Sequence, residues 1–200
     1  MKNQALFGLC LLGIAMVNPA HAVLLSDVTV DIDTYVEASS AMIDYDSSSE
    51  QIGSLFAPID SMNNVSRGIG SEIWLFARVD ISGHAILDSS PDISVYDVNF
   101  DQMLGGNLLD TAFDASDSFA LLFQTTGGSA ASEFGGYFVA TFTSSLRNTY
   151  ASPSDIVFPE MGSLRINAAA LNNVSEPATL SLLAIALLGG PLIRRRKRSL

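Results

Sequence analysis

The sequence predicts an all-β fold: an antiparallel β-sandwich or jelly-roll-like domain over residues 23–173, with an N-terminal signal peptide and one short C-terminal transmembrane helix. Three observations carry this. Apolar and polar residues alternate with a period of two in several short runs, which is the period of a strand with one buried face. No stretch between the two ends keeps a convincing 3.6-residue period. Clusters of Gly, Ser and Asn punctuate the runs as turns do.

Residues 1–22 come first. Lys2 supplies a positive charge, Ala5–Val17 form an apolar run, and Asn18-Pro19 break it. Ala20 and Ala22 then place small residues at both positions before a cut, the pattern of a secretory signal peptide cleaved after Ala22. The lone Cys10 lies inside the apolar run, so the chain beyond Ala22 holds no cysteine. Disulfides, thiolate zinc sites and cysteine nucleophiles are excluded together.

The strands follow. Val28, Val30, Ile32 and Val36 alternate with Thr29, Asp31 and Asp33. Ile73, Leu75, Ala77, Val79 and Ile81 alternate with Trp74, Phe76, Arg78 and Asp80, so one face is apolar throughout. In the run 93–101, Tyr96, Val98 and Phe100 alternate with Asp97, Asn99 and Asp101. The β-branched and aromatic runs 119–125 and 137–143, with Gly127-Gly128 and Gly135-Gly136 between them, read as a hairpin. A weaker last strand covers 164–170, and residues 47–70 read as a long loop with a short helix near 54–62.

The C-terminus reads Val174-Ser175-Glu176-Pro177, then an apolar run over 178–193, then Arg194-Arg195-Arg196-Lys197-Arg198. Sixteen helical residues reach about 24 Å, short of a bilayer core of about 30 Å. The basic tail reads as a stop-transfer flank that holds the end in the cytoplasm. In its three-part order this end resembles the PEP-CTERM sorting signal of exported proteins from Gram-negative bacteria that make exopolysaccharide. Ser175 departs from that family's motif, which has Pro at this position. The resemblance covers residues 174–198. It implies recognition by an exosortase-type processing enzyme, cleavage near Val174–Pro177 and delivery to the cell surface.

Charge narrows the function classes. Residues 23–175 carry twenty Asp and Glu against four Arg, a net charge of −16. Such a body repels anionic lipid and acidic polysaccharide, and nucleic acid is excluded as a partner. His84 is the only histidine beyond the signal peptide, and no G-x-S-x-G elbow accompanies it. Twenty scattered carboxylates nominate no glycosidase pair. Neither catalytic residues nor metal ligands are therefore assigned. Calcium is the one ion left open, with Asp44–Glu50 or Asp110–Asp117 as oxygen-rich loops, neither in EF-hand spacing. Trp74, Tyr96 and Tyr137 are the aromatic residues suited to stacking on sugar rings. Asn64-Val65-Ser66 matches a glycosylation sequon.

Taken together, these residues lead to the expectation of an exported, non-enzymatic cell-surface or extracellular-matrix protein associated with exopolysaccharide. It is expected to be held in the inner membrane by the C-terminal helix before release. The alternatives are a secreted carbohydrate-active enzyme on a jelly-roll scaffold and a single-pass envelope protein that is never processed. The expected partners are the exosortase-type enzyme, the inner membrane bilayer and exopolysaccharide.

Overall fold

The computed structural model describes residues 23–65, 70–87, 91–146 and 148–172. The expected signal peptide with Ala20 and Ala22, the motif Val174–Pro177, the 178–193 segment and the tail Arg194–Arg198 lie outside the described residues, as does Ser66 of the sequon.

Nine strands are formed among the described residues: β1 (Val28–Asp46), β2 (Gln51–Phe56), β3 (Ser61–Asn63), β4 (Gly70–Arg78), β5 (Ile93–Asp97), β6 (Gln102–Phe113), β7 (Ser118–Gly127), β8 (Tyr137–Ser144) and β9 (Glu160–Leu171). A single turn of helix, α1 (Ala131–Phe134), joins β7 to β8. Every strand pairing is antiparallel, in the order β2-β4-β5-β6-β7-β8-β9-β1-β3. Strand β2 also pairs with β1, so the ladder returns on itself. This corrects the expected sandwich or jelly roll. Alternation along each strand reports one buried face, but it is silent on whether facing strands belong to two sheets or to one that curls round.

The expected transmembrane helix, and the inner-membrane anchoring and localisation built on it, are corrected as well. Among the described residues no helix is long and apolar enough to cross a membrane. A span needs about 20 apolar residues in succession. The 178–193 run falls short of that length and contains Gly189, Gly190 and Pro191, which weaken a helix.

The curl is built into β1. Residues 28–43 pair with β9, while 42–46 pair with β2 on the other side. Register shifts between Asp31 and Tyr35, and between Ala38 and Ala41, bend the strand as bulges do. At the first bulge the carbonyls of Asp31, Ile32 and Asp33 accept hydrogen bonds from Asn167, Arg165 and Asn63. The Arg165 guanidinium lies 3.7 Å from the centre of the Tyr35 ring. This bulge overturns the expected inward set of β1. Val30 and Ile32 are exposed, and the inward residues are Thr34, Val36, Ala38, Ala41 and Ile43.

One apolar core fills the inside, with Ile43, Ile73, Ile93, Leu121, Phe138 and Ile166 among its members. Phe123 and Phe138 stack at 5.2 Å between ring centres. Gly106 on β6 lies against them, and a Cβ added there would sit 2.4 Å from Phe138 Cζ. On the outer face a smaller cluster of Leu122, Val139 and Ala169 is covered by Val23 and Leu25. The Leu25 amide donates to Asp110 Oδ2 at 2.8 Å, which ties this leading segment to β6.

Three further expectations are corrected. The 47–70 stretch contains β2 and β3 where a loop and short helix were expected. The 102–113 stretch is a twelve-residue strand, which places Asp110 in β6 and outside any loop. In the 93–101 run, Ile93 and Val95 point inward and the strand ends at Asp97, leaving Val98 and Phe100 exposed in a turn.

Truncating Phe138 to Ala should cost about 3–5 kcal/mol, the range for a buried aromatic. Gly106→Ala should also destabilise, because its new methyl group meets that ring. Urea unfolding of both variants checks this, with unchanged midpoints as the contrary result.

Candidate functional site

Parity within β4 creates the most distinctive surface feature. Ile73, Leu75, Ala77 and Val79 are buried, so Glu72, Trp74, Phe76 and Arg78 must lie on the outer face. Trp74 and Phe76 are 44% and 46% exposed, unusual for large aromatic side chains in a strand. Cross-strand neighbours explain why. Trp74 stands opposite Ser94, and Phe76 opposite Gly53, so small residues leave both rings proud of the sheet.

Tyr96 on β5 completes a trio. Its ring centre lies 5.3 Å from that of Trp74 at an interplanar angle of 63°. Phe76 lies 6.4 Å from Trp74 at 90°. Polar groups flank the rings. Gln51 Nε2 donates to the Phe76 carbonyl at 3.1 Å, and Gln102 Nε2 donates to Ser94 Oγ at 3.0 Å. Gly105 permits the second bond, because a Cβ there would lie 2.5 Å from that amide nitrogen.

Beyond Gly53 stands its β1 partner Asp44, whose carboxylate covers the glycine. Burial, and then repulsion from Asp46, push the Asp44 carboxyl above its ordinary pKa of 3.8. Along β4, Glu72 and Arg78 bracket the aromatic pair with opposite charges, and Asp44 adds a carboxyl at the margin. Apolar ring faces beside amides, a hydroxyl and a carboxylate are what a sugar requires. Its C–H face packs on the rings while its hydroxyls meet the polar rim.

Of the residues nominated for sugar stacking, Trp74 and Tyr96 are brought together here, whereas Tyr137 is not. Tyr137 lies on β8 and lines a separate open cleft of about 510 Å³ with Val30 and Phe134. The sequence nominates neither Phe76, Gln51 nor Gln102, and it offers Asp44 only within the calcium-candidate loop Asp44–Glu50. A signal for Phe76 was present: it stands two residues after Trp74 on a strand whose other face is wholly apolar.

Other candidates resolve differently. His84 lies in an exposed turn, with Nδ1 3.3 Å from Asp80 Oδ2. Asp80 also accepts the Ser82 and His84 amides, so the pair closes a turn. The proposed calcium loops do not converge: among the described residues no three Asp, Glu, His or Cys side chains are grouped to hold a metal. Asp46 is instead occupied by Ser48 and Ser49, and Asp114 by the Ser116 amide. Glu160 is buried, accepting from Ser144 Oγ and Asn148 Nδ2, both at 2.8 Å, and so ties the segment after β8 to the start of β9. The neighbouring Tyr150 hydroxyl is buried close to Ser144 and Glu160 yet completes no hydrogen bond of normal geometry.

No family model, curated protein or solved structure matches this chain.

Two titration results follow from these environments. Burial pushes the Tyr150 phenol up to about 12 from an ordinary value of 10. The stability this proton provides is present below pH 10 and lost as pH rises through about 12. Tyr150→Phe should flatten that alkaline fall in melting temperature without lowering the melting temperature at pH 7. A neutral-pH loss, or an alkaline limb of unchanged steepness, would speak against it.

The opposite sign applies to the turn carboxylates. Asp80 and Asp97 are held below the usual 3.8, chiefly by the His84 and Asp101 backbone amides respectively. Their contribution is present above pH 3.8 and disappears as pH falls through the lowered values. A combined D80N/D97N variant should show a shallower acid limb in a melting-temperature profile. Identical acid limbs in variant and parent would contradict the assignment.

Proposed function

We propose that this is an exported, non-enzymatic protein that associates with polysaccharide through the Trp74–Phe76–Tyr96 face. The observation that carries the reading is the pair of large rings held in solvent by Ser94 and Gly53, with amide and carboxylate groups at their margin. Exposed aromatics in such a setting serve binding, since a strand that only needed solubility would carry charges there. The ligand is neutral. A −16 domain repels polyanions, and the face adds no net positive charge, since Arg78 is matched by Glu72 and Asp44 stands at the margin.

The chain termini support the export half of the proposal. Residues 1–22 have the order of a cleaved signal peptide, and residues 174–198 resemble a PEP-CTERM sorting signal. On this reading an exosortase-type enzyme processes the C-terminal end, and the strand domain is the part that remains to hold the matrix.

Trp74 is the sole tryptophan of the chain, so its emission reports the face directly. Neutral oligosaccharides should shift that emission to shorter wavelength in a saturable manner. Tyr96→Ala should weaken the binding about two- to tenfold, given the 0.5–1.5 kcal/mol typical of a lost aromatic contact. Emission that stays constant across gluco-, manno-, galacto- and xylo-oligosaccharides would overturn the proposal.

A further inference from the structure

We infer that this face takes an internal stretch of a single, helically twisted neutral polysaccharide chain, rather than a chain end or a flat crystalline surface. The inference rests on the sugar-binding reading above and specifies its ligand.

Openness argues for the internal stretch. Recognition of a chain end needs a concave pocket that closes around the last sugar. Trp74 and Phe76 are nearly half exposed on the outer surface of a sheet, with the Tyr96 ring beside them. From Phe76 through Trp74 to Tyr96 the rings run across β4 and β5 toward the turn at the end of β5, where Val98 and Phe100 are exposed. Phe100 holds a φ of 62°, a conformation that bulky residues rarely adopt. The turn is fixed by Asp97, whose Oδ1 accepts from the Asn99 and Asp101 amides at 2.8 and 3.0 Å. A polymer can enter such a strip at one end and leave at the other.

Ring orientation argues for the twist. A flat ribbon presents parallel sugar faces and needs coplanar rings beneath it. Here the neighbouring rings are turned by 63° and 90° relative to Trp74. Only a chain whose successive sugars rotate about its axis offers faces to rings set that way.

A second copy of this chain fits poorly. The exposed parts of Trp74, Phe76, Tyr96, Val98 and Phe100 together present roughly 450 Å² of apolar surface, with aromatic side chains of about 150–250 Å² each. A stable dimer buries about 800 Å² on each partner. Two domains of charge −16 also repel one another.

The test uses the purified protein, read by Trp74 emission, against neutral gluco-, manno-, galacto- and xylo-oligosaccharides of two to eight units. Affinity should rise at least tenfold from the shortest to the longest member of the preferred series. Reducing the terminal sugar to its alditol should change the longest ligand's affinity less than twofold. Phe100→Ala should weaken binding of the longest member and spare the shortest. Microcrystalline cellulose should retain no more protein than it retains of Trp74→Ala. Length-independent affinity, sensitivity to the alditol, or Trp74-dependent adsorption to crystalline cellulose would each overturn this inference while leaving sugar binding intact. Lack of binding across all series would remove the parent reading itself. Concentration-dependent dimerisation abolished by Trp74→Ala in sedimentation would show that a second copy is the occupant, and would overturn both.

Discussion

Strand β1 is the constraint on which the rest of the molecule depends. A domain without cysteine has no covalent brace, so its sheet must protect its own edges. Strand β1 does this by pairing along β9 and then turning to meet β2, which closes the run from β2 to β1 and leaves the three-residue β3 paired outside it along β1. Its second bulge lies between Ala38 and Ala41, both fully buried, where small side chains let the strand bend against the core. Closure of this kind removes the open rows of backbone donors and acceptors that would otherwise recruit a neighbouring chain. One core then suffices, because every long strand contributes an inward row to the same interior.

The aromatic face is a by-product of that closure. Because the interior claims Ile73, Leu75 and Ala77, the residues between them face outward irrespective of their hydrophobicity. Hydrophobicity alone would bury Trp74 and Phe76; the pleat forbids it. What remains is the choice of neighbours, and here Gly53, Ser94 and Gly105 keep the surrounding surface low. The same strands thus pack on one face and hold Trp74 and Phe76 in solvent on the other. The surface beyond the strip is acidic, and Asp turns such as those at Asp80 and Asp97 use carboxylates to hold loops as well as to charge the surface.

Legibility in the sequence follows the physics of each segment. Strand β4 was readable because its apolar parity is unbroken from Ile73 to Val79, and β7 and β8 because aromatic and β-branched residues dominate them. Strand β6 was not, since Gly105-Gly106-Asn107 looks like a turn. Gly106 is there because Phe138 and Phe123 occupy the space of its side chain, a long-range fact invisible locally. The start of β1 was readable as a strand but assigned to the wrong face, because the bulge after Asp31 resets the parity. Closure could not be read at all, since it depends on β1 pairing on both sides. Of the site, Trp74 and Tyr96 were legible as chemistry, and their meeting across β4 and β5 required the register.

Pairing between β1 and β2 closes the sheet around a single core. Native-state amide hydrogen exchange tests it most directly, because closure leaves β2 without a fraying edge. Hydrogen-bonded amides within 43–46 and 51–54 should exchange only through global unfolding, as slowly as those of β7 and β8. Exchange of the β2 amides by local fraying, orders of magnitude faster than in β8, would show an open sheet and contradict it.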